Sequence, residues 1–137
     1  MSDLRVHKTK YINETKRVSF KYDGKNYFGY EGDTLASALL ANGVHLIGRS
    51  FKYHRPRGIM SCGSEEPNAI CQISDKNDLT EPNVRATELE IYDGLEAFSQ
   101  NCWPNVKFVI GGLNNLISPL RPAGVDYKTF MWPKCLW

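Results

Sequence analysis

The sequence predicts an α+β domain: a small mixed sheet with one helix packed across it. Three observations carry that expectation. Two alternating apolar runs, at 17–22 and 27–30, flank an Asp-Gly turn in the pattern of an antiparallel hairpin. One amphipathic helical stretch follows, ending at a glycine. Two further strand-like runs close the pattern after a long loop, giving the order strand–strand–helix–loop–strand–strand.

Each element has a local reason. Residues 1–16 are polar and irregular and read as a flexible arm. In RVSFKY, Val18, Phe20 and Tyr22 share one face of a strand. Asp23 and Gly24 begin the turn, and 27–30 is the return strand. Asp33 is the expected helix N-cap, Leu35, Ala38 and Leu39 supply the helical period, and Gly43 is the natural stop. Residues 44–63 lose all periodicity and read as a long functional loop. NAICQI at 68–73 is strand-like, 74–83 is a polar turn, and VRATELEI at 84–91 alternates again. A helix is expected to begin in 92–100, and 106–110 is a short apolar run stopped by Gly111 and Gly112. A β-grasp arrangement meets this description. The core domain is expected over 17–95, with 96–137 as an extension.

The chain has 137 residues, 42% of them hydrophobic and 23% charged, enough for one ordinary domain with its own core. A net charge of +2 gives no general attraction to nucleic acid or to an anionic membrane. No run approaches the roughly 18–20 apolar residues needed to cross a bilayer. The N-terminal residues have no apolar centre of the secretory type. The expected location is the cytoplasm, with neither nucleic acid nor membrane as partner. There, Cys62, Cys71, Cys102 and Cys135 are expected as reduced thiols. None forms C-x-x-C, so a tetrahedral zinc site lacks its usual tight turn. Plant-type two-iron clusters use C-x4-C-x2-C plus a distant cysteine. Here eight residues separate Cys62 from Cys71 and no third cysteine is near, so buried thiols fit better.

Charge is segregated although the total is nearly balanced. Residues 34–64 carry Arg49, Lys52, Arg55 and Arg57 and no acid, a window of +4 against −2 for the rest. Phe51 and Tyr53 alternate with Lys52, and His54 follows; in an extended chain the aromatics point one way and Lys52 and His54 the other. Pro56 stiffens the loop. Guanidinium forks match phosphate or carboxylate oxygens, and aromatic rings cover flat groups. Arg49, Lys52, His54, Arg55 and Arg57 are therefore the candidate binding residues, for an anionic ring-bearing ligand or an acidic protein surface. A solvated basic loop with two aromatics tucked into the core is the plain alternative. Single-stranded nucleic acid is a third reading. His45 reads as structural, and His7 lies in the arm. Glu65 and Glu66 point to opposite faces of an extended chain, so a capping or docking role suits them better than acid–base catalysis. No dinucleotide fingerprint, Walker loop or nucleophilic triad is present, and no catalytic or metal-ligating residue is assigned.

GRSFKYHRPRGIMSCGSEEPNA resembles the N-terminal region of the alpha subunit of heterotetrameric sarcosine oxidase. The similarity extends through VSFKYDGKNYFGYEGDTLASALLANGV, EPNVRATELEIYDGLEAFSQNCWP and PAGVDYKTFMWP, in that order. It implies a β-grasp domain of the two-iron ferredoxin type that lacks its cluster. Related domains in cyanide synthase and in opine or proline dehydrogenase small subunits carry cluster cysteines. The family enzyme oxidises sarcosine to glycine, peroxide and a one-carbon unit for tetrahydrofolate. The resemblance implies FAD and covalent FMN tied to the beta subunit, NAD on a later domain of alpha, and gamma and delta as further partners. The family's dinucleotide domain would begin near Trp137, so 96–137 is expected to lead into it, with Trp132 and Trp137 awaiting cover. This segment is expected to hold no cofactor alone and to dock subunits rather than catalyse.

Overall fold

The computed structural model describes residues 5, 10–51, 53–74, 79–110 and 112–113. The expected flanking tryptophans 132 and 137, Cys135 and Lys52 lie outside them.

The hairpin forms as expected. β1 (Asn13–Tyr22) and β2 (Lys25–Glu31) pair antiparallel around the Asp23–Gly24 turn, with both turn residues at positive φ. Val18, Phe20 and Tyr22 face the core. β1 starts inside the stretch expected to be a loose arm, because Asn13 already pairs with Glu31. Arg5, also in that stretch, is held: its Nη1 donates to both carboxylate oxygens of buried Asp33, at 2.7 and 2.5 Å.

α1 (Leu35–Ala41) buries Leu35, Ala38 and Leu39 against the sheet. Its N-cap is Thr34, not Asp33. Thr34 Oγ1 accepts from Ser37 N at 3.2 Å, while Asp33 turns inward to Arg5, to Tyr30 N and to Ser37 Oγ. The helix lies close on β2 because Gly29 has no side chain. A Cβ there would collide with Ile91 Cδ1 and sit 3.1 Å from Ala38 Cβ.

After α1 come a two-residue ribbon, β3 (Gly48–Arg49) with β4 (Pro56–Arg57), and then β5 (Ile70–Ser74), β6 (Thr80–Arg85) and β7 (Leu95–Ser99). The five-stranded sheet has the order β2-β1-β7-β5-β6. Only the β1–β7 pair is parallel, so the sheet is mixed, and it carries a single helix among the described residues.

Two expectations are corrected. The run at 84–91 is not one strand: β6 ends at Arg85. The following turn instead supplies Ala86 O and Leu89 O to the first free amides of α1, Ala36 N at 2.8 Å and Leu35 N at 2.7 Å. The helix expected in 92–100 is strand β7, set between β1 and β5 with Leu95 and Ala97 buried. Ladders on both sides outweigh the helical leaning of a Leu-Glu-Ala sequence. The sheet therefore runs on to Ser99, beyond the expected boundary at 95.

Candidate functional site

The basic loop is a tight turn rather than an extended piece. β3 and β4 pair, Ser50 N donates to Arg55 O at 2.9 Å, and His54 N donates to Ser50 O at 3.0 Å. His54 sits at φ +50 within this turn. Phe51, Tyr53 and His54 therefore do not lie along an extended strand. Phe51 is exposed rather than tucked into the core, and Tyr53 is half-buried under the Arg55 guanidinium, 4.9 Å from its ring centroid.

The candidate cations have different fates. Arg49 is turned inward. Its Nε donates to Val106 O at 2.8 Å, Nη1 to His54 O at 3.1 Å and Nη2 to Lys107 O at 3.1 Å. One guanidinium thus ties the basic turn to the segment after β7. Two further bonds repeat the link: Asn101 Nδ2 to Arg49 O at 3.2 Å, and His54 Nδ1 to Asn101 O at 2.9 Å. Arg55 and Arg57 stay on the surface. Arg57 Nη1 donates to Asn68 Oδ1 at 2.5 Å, and Arg57 lines an open cavity of about 460 Å³ with Asn68, Asn83, Gln100, Phe51 and Met60. Arg49 lines the same cavity, while His54 and Arg55 lie off it.

Glu66 was legible only as a capping or docking residue, and the structure makes it a cap of unusual completeness. Its side chain is buried. Oε2 accepts from Met60 N at 2.8 Å and Ser61 N at 2.5 Å; Oε1 accepts from Asn68 N at 2.8 Å and Ala69 N at 3.1 Å. Burial pushes the carboxyl up, but the amides of Ser61, Asn68, Met60 and Ala69 outweigh it and hold the group down at about 2. Thr87 Oγ1 donates to Gly63 O at 2.8 Å and fastens the loop to the turn after β6. A glutamate followed by Pro67 and Asn68, inside a loop with no other regular structure, was the available signal.

Among the described residues the thiols do not converge. Cys62 is exposed, against the expectation of a buried group. Cys71 is in the core on β5, donates to Val84 O at 3.4 Å, and is pushed up to about 12 by burial and by the Asp23 carboxylate. Burial also raises Cys102, whose Sγ lies 2.8 Å from Ser99 Oγ. Among the described residues no three histidine, cysteine or carboxylate side chains gather as a metal site. No helix among them is long and apolar enough to cross a membrane.

Comparison with known proteins agrees with the architecture. The chain is 56% identical over all 137 residues to sarcosine oxidase subunit alpha of Rhizobium meliloti, and spans 14% of that protein. It is 41% identical over 88 residues, 63% of this chain and 9% of the relative, to the subunit alpha of Corynebacterium sp. strain U-96. Among solved structures, L-proline dehydrogenase from P. horikoshii superposes with a TM-score of 0.51 at 24% identity, over 66% of this chain and 16% of that one, which supports the fold. A family model described as the 2Fe-2S iron-sulfur cluster binding domain matches residues 15–102. A cluster needs thiolates facing one another. The described residues do not fit it: Cys71 is buried in the core, Cys102 shares a hydrogen bond with Ser99, Cys62 stands on the surface, and no three such side chains gather. By the match across its sheet and loop, the chain belongs to the 2Fe-2S iron-sulfur cluster binding domain family, as a member whose described residues form no thiolate site.

Proposed function

We propose that this chain acts as the N-terminal domain of a sarcosine oxidase alpha subunit. The parent complex is flavin-dependent and oxidises sarcosine to glycine, with oxygen reduced to peroxide and a one-carbon unit passed to tetrahydrofolate. Support for the assignment is the 56% identity that runs through every residue of the chain. The role of this domain is assembly. FAD, FMN and NAD sit on other parts of alpha and on the beta subunit, with gamma and delta completing the complex in the cytoplasm.

One observation carries the assembly role: an exposed cation and exposed apolar side chains line one open cavity. Arg57 shares it with Phe51, 48% exposed, and Met60, 75% exposed, while exposed Arg55 covers Tyr53 in the adjoining turn. Arginine flanked by large apolar groups is the composition of interface anchors. The 34–64 window has no acid to neutralise it, so an acidic, apolar partner surface is the matching chemistry. Arg49 serves differently, holding the face rigid through its three carbonyl bonds.

The test is co-expression of beta, gamma and delta with full-length alpha carrying Arg55→Ala and Arg57→Ala. Reduced assembly and flavin content are expected. Unchanged assembly with full flavin would remove the docking role. An iron–sulfur electron carrier is the alternative suggested by the family description. It requires a paramagnetic signal after anaerobic reduction.

A further inference from the structure

A second concavity lies away from the basic face. It has a volume of about 640 Å³, within the range of small-molecule sites. Three separate pieces of chain wall it: the β1–β2 turn, the residues just after α1, and residues 105–107.

Each wall is fixed by hydrogen bonds to the rest of the fold. Tyr22 Oη donates to Ile47 O at 2.5 Å, which seats the post-helix segment on β1. Asn42 Nδ2 donates to Phe28 O and Ala38 O, each at 2.7 Å, pinning the end of α1 to β2. Arg49 donates to Val106 O and Lys107 O, and Asn105 Oδ1 accepts from Lys107 N and Phe108 N at 3.0 and 2.8 Å. The concavity is thus preformed, which lowers the ordering cost of binding.

Its lining has a definite chemistry. Tyr27, Val44, Leu46 and Val106 supply an apolar surface, with the Tyr27 ring on one side. Lys25, Lys107 and His45 are the basic residues of the lining, and all three are exposed. The acid among the lining residues, Asp23, is anchored by Ser99, whose N and Oγ donate to its Oδ1 at 2.7 and 3.0 Å, and its one charge is outnumbered by those of Lys25 and Lys107. Burial and Asp23 raise the Tyr27 phenol, so it is a hydrogen-bond donor at neutral pH.

We propose that the concavity between the β1–β2 turn, the end of α1 and residues 105–107 binds a small flat-ringed molecule bearing a carboxylate or phosphate. The ring lies against Tyr27, Val44 and Val106, and the anionic group meets Lys25 and Lys107. Two lysines that lack a fixed fork select charge rather than one anion geometry. Carboxylate and phosphate therefore remain the two sources to be separated.

The experiment titrates the full 137-residue chain, labelled with nitrogen-15, with adenosine monophosphate, indole-3-acetate, adenosine and inorganic phosphate, and follows amide shifts. Saturable shifts at Tyr27, Val44–Leu46 and Lys107 are expected with at least one ring-bearing anion, at a dissociation constant below about 1 mM. Adenosine and inorganic phosphate should each bind at least about tenfold more weakly, because each lacks one half of the ligand. Adenosine monophosphate alone identifies phosphate; indole-3-acetate alone identifies carboxylate. Lys25→Ala with Lys107→Ala should weaken binding about tenfold with the amide spectrum otherwise unchanged. Tyr27→Leu, which keeps apolar bulk, is the second variant and should weaken ring binding with inorganic phosphate unaffected. The proposal falls if neither anion saturates these residues, if adenosine or phosphate binds as well as the ring-bearing anions, if the lysine variant binds unchanged, or if the shifts map to 49–57. None of these outcomes bears on subunit assembly, which the Arg55 and Arg57 variants test separately.

Discussion

At the scale of single residues, Glu66 carries the most concentrated chemistry of the structure. A carboxylate only 1% exposed is tolerated because four amides replace its water. Its pKa in the fold lies near 2, below the ordinary 4.5. A depressed carboxylate stabilises the fold fully above the unfolded value, and the contribution is lost as pH falls from 4.5 toward 2. Glu66→Gln sets one amide NH₂ against these donors. It should cost about 3 kcal/mol at pH 7 in urea unfolding. The gap from the native chain should close on acidification through that window; a constant gap would contradict the assignment. Arg49→Met should leave the sheet intact but speed amide exchange at residues 106–110, because three carbonyl bonds disappear together. Unchanged exchange there would show that the clamp does not hold the segment.

At the scale of elements, the deciding contacts are helix on sheet and strand between strands. Gly29→Ala pushes a methyl into Ile91 and Ala38. A cost of about 1–3 kcal/mol, seen as a lower melting temperature, is expected. Leu95→Ala, in the middle of the sheet and fully buried, should cost about 2–5 kcal/mol. If β7 were peripheral, as a helix start in that stretch would have made it, the loss would be small. The hairpin and α1 were readable in advance because their signals are local: a two-residue period, an Asp-Gly turn and a helical period ending at Gly43. β7 was not, because its partners Phe20 and Cys71 lie far away in sequence. The same holds for the turn after β6. Its carbonyls end a strand-like alternation because α1, fifty residues earlier, needs acceptors.

At the scale of the whole molecule, the family is described by its two-iron cluster, while the thiols among the described residues lie apart. Reconstitution of the full chain with ferrous iron and sulfide under anaerobic conditions should yield no stable two-iron spectrum after desalting. A cluster that survives would overturn the reading of the thiols.

By itself, the sequence determined the α+β class, the hairpin, the helix at 35–41, the kinship and the acid-free window that contains Arg49, Arg55 and Arg57. These follow from short-range period and from strings of neighbouring residues. Only the tertiary structure decided which of those arginines faces outward, where β7 runs, and that the Glu66 carboxylate collects the loop amides. Hydrogen-bond acceptors for a guanidinium or an amide can come from anywhere in the chain, so their supply is settled by packing and not by spacing.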